Sequence, residues 1–243
     1  MLETHTIFDE TVGSKKPAVC RVTDIKEAVR DQNRVNIYID DKFFCSLDIS
    51  QVVDLHIKIG RELSPEELDE LKHASDFGKF YARALEYALM RPRSQKEIRD
   101  YLQRKTLDRK VRIKNRKTGE YSTQLKKGYD ASLVPLVMQR LEERGYIDDV
   151  RFASLWVENR NVSKGSSTKK LRLELQQKGI SSETIEAVLA ESDRDERAEL
   201  KKMIARKASK YPDQQKLVQY LLRQGFNYSD ISDELSSIDS SSV

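Results

Sequence analysis

Ser167-Thr168-Lys169-Lys170-Leu171-Arg172-Leu173-Glu174-Leu175, with Gly179-Ile180-Ser181 closing four residues later, decides the fold because the chain repeats it. Asp213-Gln214-Gln215-Lys216-Leu217-Val218-Gln219-Tyr220-Leu221 is a second copy, and Gly225-Phe226-Asn227 follows at the same distance. Ser94-Gln95-Lys96-Glu97-Ile98-Arg99-Asp100-Tyr101-Leu102 is a third, but its Gly128-Tyr129-Asp130 lies 26 residues beyond Leu102. In each copy a capping residue precedes apolar positions four apart, the pattern of an amphipathic helix. The glycine is expected to end that helix in a left-handed conformation, and Asp, Ser or Asn to cap the next. Val134 and Met138, Ile185 and Leu189, and Ile231 and Leu235 stand six and ten residues past the glycines, giving each following helix its apolar stripe. Helices around Phe77–Leu89, Phe152–Trp156 and Leu200–Ala208 complete three tandem three-helix modules, expected over 77–148, 149–192 and 193–237. Pro135 is the one departure, costing a hydrogen bond unless its helix starts late.

The extra length of the first copy, residues 106–127, carries 8 basic and 2 acidic side chains. Val111 and Ile113 alternate with Arg112 and Lys114, and Lys117-Thr118-Gly119-Glu120 has turn composition, so a protruding basic β-hairpin is expected.

Ahead of the modules the period changes from helix to strand. Val19 to Ile25 is strand-like, Val35-Asn36-Ile37-Tyr38-Ile39 alternates, Asp40-Asp41 supplies a turn, and Phe43 to Leu47 returns. Ile49 to Leu55 suits a short helix, and Ser64-Pro65-Glu66-Glu67 opens another with a cap, an N1 proline and acids at the positive end of the dipole. Residues 17–76 are therefore expected to form a small α+β domain with a three-stranded antiparallel sheet. Residues 1–16 and 238–243 lack a hydrophobic period and are expected to be loose. The fold class is mainly α, with this small domain in front.

Composition narrows the function. At 243 residues the chain is longer than a comfortable single core. Its start lacks the basic and apolar regions of a signal peptide, and no apolar run is long enough to span a bilayer. Two cysteines, Cys20 and Cys45, make no disulfide framework, and a reducing cytoplasm is expected. The net charge of +4 hides an asymmetry: residues 77–105 hold 8 basic and 3 acidic side chains, against 10 and 16 over 1–76. Together with 106–127, this concentrates positive charge in one stretch and points to a polyanionic partner.

No cofactor or metal is expected. His5, His56 and His73 have no ligand spacing, and Gly13-Ser14-Lys15 lacks the glycine and spacing of a phosphate-binding loop. Asp148-Asp149 reads as a helix N-cap rather than a metal site. Candidate binding cations are Arg91, Arg93, Lys96 and Arg99 at the first module's turn, and Arg109, Lys110, Arg112, Lys114, Arg116, Lys117, Lys126 and Lys127 on the insert. Arg151, Lys164, Lys169, Lys170 and Arg172 add to them. For Lys164-Gly165-Ser166-Ser167-Thr168-Lys169-Lys170 two readings stand level, a site for a phosphate or partner carboxylate and an ordinary capped helix with solvated lysines. Tyr121 and Tyr129 are candidates for stacking on bases; Tyr146 and Phe152 read as packing anchors. Four to six insert cations on single-strand phosphates would give a salt slope of about −3 to −4.

Gly145-Tyr146-Ile147-Asp148-Asp149-Val150-Arg151-Phe152-Ala153 resembles the signature of the RecX regulatory proteins, modulators of the bacterial recombinase RecA. Lys164-Gly165 and Glu174-Leu175-Gln176-Gln177-Lys178-Gly179-Ile180 are similar to the same family, and Asn36-Ile37-Tyr38-Ile39-Asp40 resembles the N-terminal extension of some members. The resemblance runs from about Tyr81 to Leu235, and the 22-residue insert departs from it. It implies a non-enzymatic, elongated, all-helical body that lies in the groove of a RecA–DNA filament and restrains ATPase, strand exchange and co-protease activity. No dimer stripe shows in the sequence, so a monomer is expected. The basic stretch alone favours a different class, a self-sufficient module for single- or double-stranded DNA. Dependence on the filament separates the two.

Overall fold

Apolar residues alternating through Val35, Ile37 and Ile39 build the centre of a sheet, whose strands are β1 (Cys20–Ala28), β2 (Asp31–Ile39) and β3 (Lys42–Asp48), paired antiparallel. The computed structural model describes residues 19–29, 31–114, 118–161 and 165–240, so the tail expected over 1–16 lies outside the described residues. Asp40 and Asp41 turn β2 into β3 with φ of 47° and 64°, the two positive values a tight hairpin turn requires. Thr23 Oγ1 accepts from Asp41 N at 2.9 Å and steadies the turn. After α1 (Ile49–Asp54), a fourth strand, β4 (Glu62–Leu63), pairs with β1, giving the order β3-β2-β1-β4. The sheet thus has four strands rather than the three expected, because two residues are too few for alternation to register. Leu63 is fully buried there with Val22, Ile37, Leu47 and Leu71. Cys20 and Cys45 are free thiols on β1 and β3 with β2 between them; burial pushes the Cys45 thiol up to about 11.

α2 (Pro65–Leu89) opens with a reciprocal cap, Glu67 N to Ser64 Oγ at 3.3 Å and Ser64 N to Glu67 Oε2 at 2.8 Å. It runs straight through the boundary expected at 76/77. No proline interrupts it there, and Gly78 keeps a negative φ. The chain divides into two units within this helix, Met1–Tyr81 and Ala82–Val243.

Among the described residues, the regular structure of the second unit is helical apart from one hairpin. The end of α2 is followed by α3 (Gln95–Thr106), β5 (Arg109–Lys114), β6 (Tyr121–Lys126) and α4 (Leu133–Glu143). Next come α5 (Asp149–Asn161), α6 (Thr168–Gln177) and α7 (Ser182–Glu191). The last triplet is α8 (Glu196–Lys207), a 3₁₀ turn at Ala208–Lys210, α9 (Gln214–Arg223) and α10 (Tyr228–Ser240). Helix α10 reaches three residues into the stretch expected to be loose from 238. Each triplet buries the repeat's apolar positions: Ile98 and Leu102 in the first, Leu171 and Leu175 in the second, Leu217 and Leu221 in the third. Phe152 and Ile185 join the second core, Met203 and Ile231 the third.

Gly179 and Gly225 end α6 and α9 with φ of 82° and 94°, as their position predicts. Gly128 differs. Its φ is not positive, and a Cβ there would collide with the Thr106 carbonyl. It is glycine because the chain leaving β6 returns hard against the end of α3, not because a helix ends left-handed. Pro135 is harmless: it stands in the first turn of α4, where no intrahelical donor is lost. Among the described residues no helix is long and apolar enough to cross a membrane, and no group of three or more His, Cys, Asp or Glu side chains gathers to hold a metal.

Candidate functional site

The starts of α3 and α6, rich in serine and lysine, make the same joint twice. Ser94 accepts from Glu97 N as an N-cap and donates its hydroxyl to the Lys178 carbonyl at 2.7 Å. Ser167 accepts from Lys170 N and donates to the Gln224 carbonyl. Both serines are fully buried. The carbonyls they reach sit just before Gly179 and Gly225, at the ends of the next triplet's second helix. An acid from that triplet's first helix then accepts from the first helical amide: Asp149 Oδ1 from Gln95 N at 2.8 Å, and Glu196 from Thr168 N at 3.1 Å. Burial pushes the Asp149 carboxyl up, opposed by the Gln95 amide bond.

Many of the candidate cations on the helices are already engaged, some at these joints and some within their own triplet. Lys96 Nζ donates to the Gln177 carbonyl at 3.0 Å, and Lys170 to the Gln224 side chain. The Lys169 stem lies over Gly225. Arg172 holds Glu186 with two bonds, 2.6 and 2.7 Å. Arg91 pairs with Glu97, while Arg93 donates to the Tyr87 carbonyl at 2.7 Å with its guanidinium 3.4 Å from that ring's centre. The capped-helix reading of 165–170 is therefore what the geometry supports. Arg116, Lys117 and Lys164 lie outside the described residues.

The hairpin is different. Its register sets Lys110, Arg112 and Lys114 opposite Leu125, Thr123 and Tyr121, and Arg109, Val111 and Ile113 opposite Lys126, Gln124 and Ser122. Alternation therefore segregates a cationic face bearing Tyr121 from a mixed face. The Arg112 guanidinium sits 4.1 Å from the Tyr121 ring centre and Lys114 Nζ 5.8 Å, while the ring itself stays exposed. Arg109, Lys110, Lys126 and Lys127 are exposed and make no ion pair or side-chain hydrogen bond among the described residues. Arg99 and Arg151 share that state. Asp108 is occupied at the base, accepting from Gly128 N at 2.8 Å.

At the base the positive field extends to residues that sequence reading passed over. Lys105 is held below its usual range, first by burial and then by Arg109, Arg83, Arg104 and Lys126. Arg83 and Arg104 lie on helices rather than in the insert, so a count along the insert misses them; only the excess of base over acid through 77–105 hinted at them. Tyr129 is half-buried, and its hydroxyl accepts from Arg83 Nε at 2.9 Å, which leaves Tyr121 as the open ring.

In Gly145–Ala153, Gly145 ends α4 with φ 70°, and Asp148 caps α5 by accepting from Arg151 N at 2.9 Å. Phe152 is buried in the second core. Tyr146, expected as a packing anchor, is exposed; the neighbouring Ile147 is the buried side chain. The turn places Tyr146 N on the Leu141 carbonyl and points its ring outward.

Two family profiles match the chain, the RecX N-terminal domain over residues 21–64 and the RecX second three-helix domain over 148–189. The regulatory protein RecX of Bacillus licheniformis is 29% identical over 225 residues, covering 90% of this chain and 77% of the relative. That of Clostridium tetani is 26% identical over 227 residues, covering 90% and 94%. Among solved structures, a crystal structure of regulatory protein RecX overlays with a TM-score of 0.69 at 21% identity, covering 88% of this chain and 99% of the other. RecX from Lactobacillus salivarius overlays at 0.51, also 21% identical, covering 68% and 98%. At such identity these overlays speak for the fold.

Proposed function

The chain belongs to the family of RecX regulatory proteins, and on that premise we propose that it binds a RecA–DNA filament and restrains the recombinase's ATPase, strand exchange and co-protease activity. It does so in the cytoplasm, as a monomer and without a cofactor. One observation supports the reading above the others: at the joints Lys96, Lys170 and Lys178 are tied to the neighbouring triplet, whereas on the hairpin Arg109, Lys110, Arg112, Lys114, Lys126 and Lys127 make no ion pair among the described residues. Unpaired like charges repel one another until an anion arrives. A nucleic-acid strand supplies such anions at regular intervals, and Tyr121 offers a stacking surface worth ~1–3 kcal/mol per base.

The test is titration of the purified protein against RecA's DNA-dependent ATPase. Saturable inhibition is expected. The triple variant Lys110→Gln, Arg112→Gln, Lys114→Gln should need a higher concentration for the same inhibition, and lose about two units of salt slope if the three residues meet single-strand phosphates. The alternative, a stand-alone DNA-binding module, draws on the same face. It predicts equal affinity for bare and RecA-coated strand, and no inhibition beyond simple competition for DNA.

A further inference from the structure

The internal repeat holds a second comparison, independent of the hairpin. Arg99 and Arg172 are equivalent, each following the first buried residue of its triplet's second helix, Ile98 or Leu171. The residue facing each from the third helix is also set by the repeat: Glu186 in the second triplet, Pro135 in the first. In the second triplet the two-pronged Arg172–Glu186 pair, at 2.6 and 2.7 Å, bridges α6 and α7. In the first, Pro135 supplies no carboxylate at that position, although the Asp149 carboxylate at the start of α5 acts on Arg99 electrostatically, and an open groove of about 560 Å³ runs between α3 and α4. Val134, Pro135 and Met138 give it an apolar floor; Gln103, Gln139 and Arg99 give it polar edges. The Arg99 side chain is exposed and, among the described residues, makes no ion pair or hydrogen bond. Glu142, at the groove's end, is already engaged by the Gln95 side chain.

We propose that this groove is a protein-docking site that takes an aspartate or glutamate side chain of the partner, whose carboxylate grips Arg99 as Glu186 grips Arg172. The chain thus carries its own template for the ligand. A planar guanidinium matches a carboxylate with two parallel bonds, and the apolar floor suits the stem and neighbours of an amino-acid side chain better than a phosphodiester. The proposal rests on the filament reading only for the partner's identity: it assigns to this groove the recombinase's acidic surface, as the hairpin is assigned the strand.

Pro135→Glu tests it directly, by restoring to the first triplet the carboxylate that closes the second. The position lies in the first turn of α4, where an acid is favoured, so the variant should fold. The full-length protein, labelled with nitrogen-15, is titrated with hexaglutamate and separately with hexathymidylate while the Arg99 Nε–H resonance is followed. Hexaglutamate should shift that resonance in the wild type, and the shift should vanish in Pro135→Glu; Arg99→Gln, which removes the resonance, confirms its assignment. No response to hexaglutamate, a response to hexathymidylate alone, or a full response retained in Pro135→Glu would each overturn the site. Because no recombinase is present, these outcomes are separable from the fate of the filament reading. With RecA–DNA filaments, Pro135→Glu should raise the half-inhibiting concentration about ten-fold, a factor worth about 1.4 kcal/mol, while leaving oligonucleotide binding unchanged. An undiminished inhibition there would sink the assignment to the recombinase.

Discussion

The starts of α3 and α6 hold lysines and arginines at much the same density as the β5–β6 hairpin, yet the two regions use them in opposite ways. At the joints Lys96, Lys170 and Lys178 are tied to a carbonyl, an amide and a carboxylate of the neighbouring triplet. On the hairpin Lys110, Lys126 and Lys127 meet no such group among the described residues. A density of charge is therefore no guide to a binding surface until the geometry shows which charges already have partners. The same comparison explains where the insert sits. In the second and third triplets the end of the second helix is pressed against the serine and lysine of the triplet before it. The first triplet has none before it, so the end of α3 takes part in no such joint, and a long insertion there disturbs none.

The largest effect expected from breaking that contrast is at the joint glycines. A Cβ on Gly225 would lie 2.5 Å from Ser167 Oγ and 3.2 Å from Lys169 Cβ, at a φ of 94°. Gly225→Ala should cost about 2–5 kcal/mol, combining left-handed strain of ~1–2 kcal/mol with crowding of ~1–3 kcal/mol. Gly145 has a similar φ of 70° but nothing within 4 Å of its Cβ position. Gly145→Ala should cost only the strain, about 1–2 kcal/mol. Urea unfolding of the two variants separates close approach from backbone conformation, and equal midpoints would show that the joint is not tightly packed.

A smaller difference is expected among the caps. Ser167 both caps α6 and donates across the joint, whereas Asp213, its counterpart on α9, accepts from Gln215 N and Lys216 N and has no proton to give. Ser167→Ala should therefore lose a cap of ~1 kcal/mol and a buried hydrogen bond of ~1 kcal/mol; Asp213→Ala should lose the cap alone.

The repeat, its glycines and its caps were legible in the sequence because each depends on residues within a turn or two of one another. The hairpin's alternation through Val111 and Ile113 was legible for the same reason. What the sequence hid was long-range or too short to form a pattern. Ser94 meets a carbonyl 84 positions away and Ser167 one 57 away, so their second role lies beyond any local reading. β4 is two residues long, and α2 crosses an expected boundary because nothing there stops a helix. Gly128 matched the repeat in position but was needed for space beside Thr106, which only the returning hairpin reveals. At the candidate site, the insert's cations were named from charge alone, while Arg83 and Arg104 escaped because the fold brings them to the hairpin's base.

A third contrast concerns Glu97, the carboxylate that ties the first joint together. It accepts from Lys178 Nζ at 2.7 Å across the joint and pairs with Arg91 at 3.1 Å. Burial alone would raise its pKa, but bonds from Arg91 and Lys178 outweigh it and hold the carboxyl down at about 2. A folded pKa below the unfolded one means that the unfolded chain takes up the proton first as the solution is acidified. The stabilisation is then fully present above the unfolded value of about 4.3 and is lost as pH falls toward about 2. Glu97→Gln keeps the shape and removes the titration. Between pH 5 and about 2.5 its unfolding midpoint should fall less steeply than that of the wild type, the gap closing toward the acid end. The matching control is the non-titrating change Ser122→Ala on the exposed hairpin, where acid should leave variant and wild type parallel. If Glu97→Gln runs parallel as well, the joint's ion pairs contribute nothing that acid can remove, and only the serine and glycine contacts distinguish the joints from the hairpin.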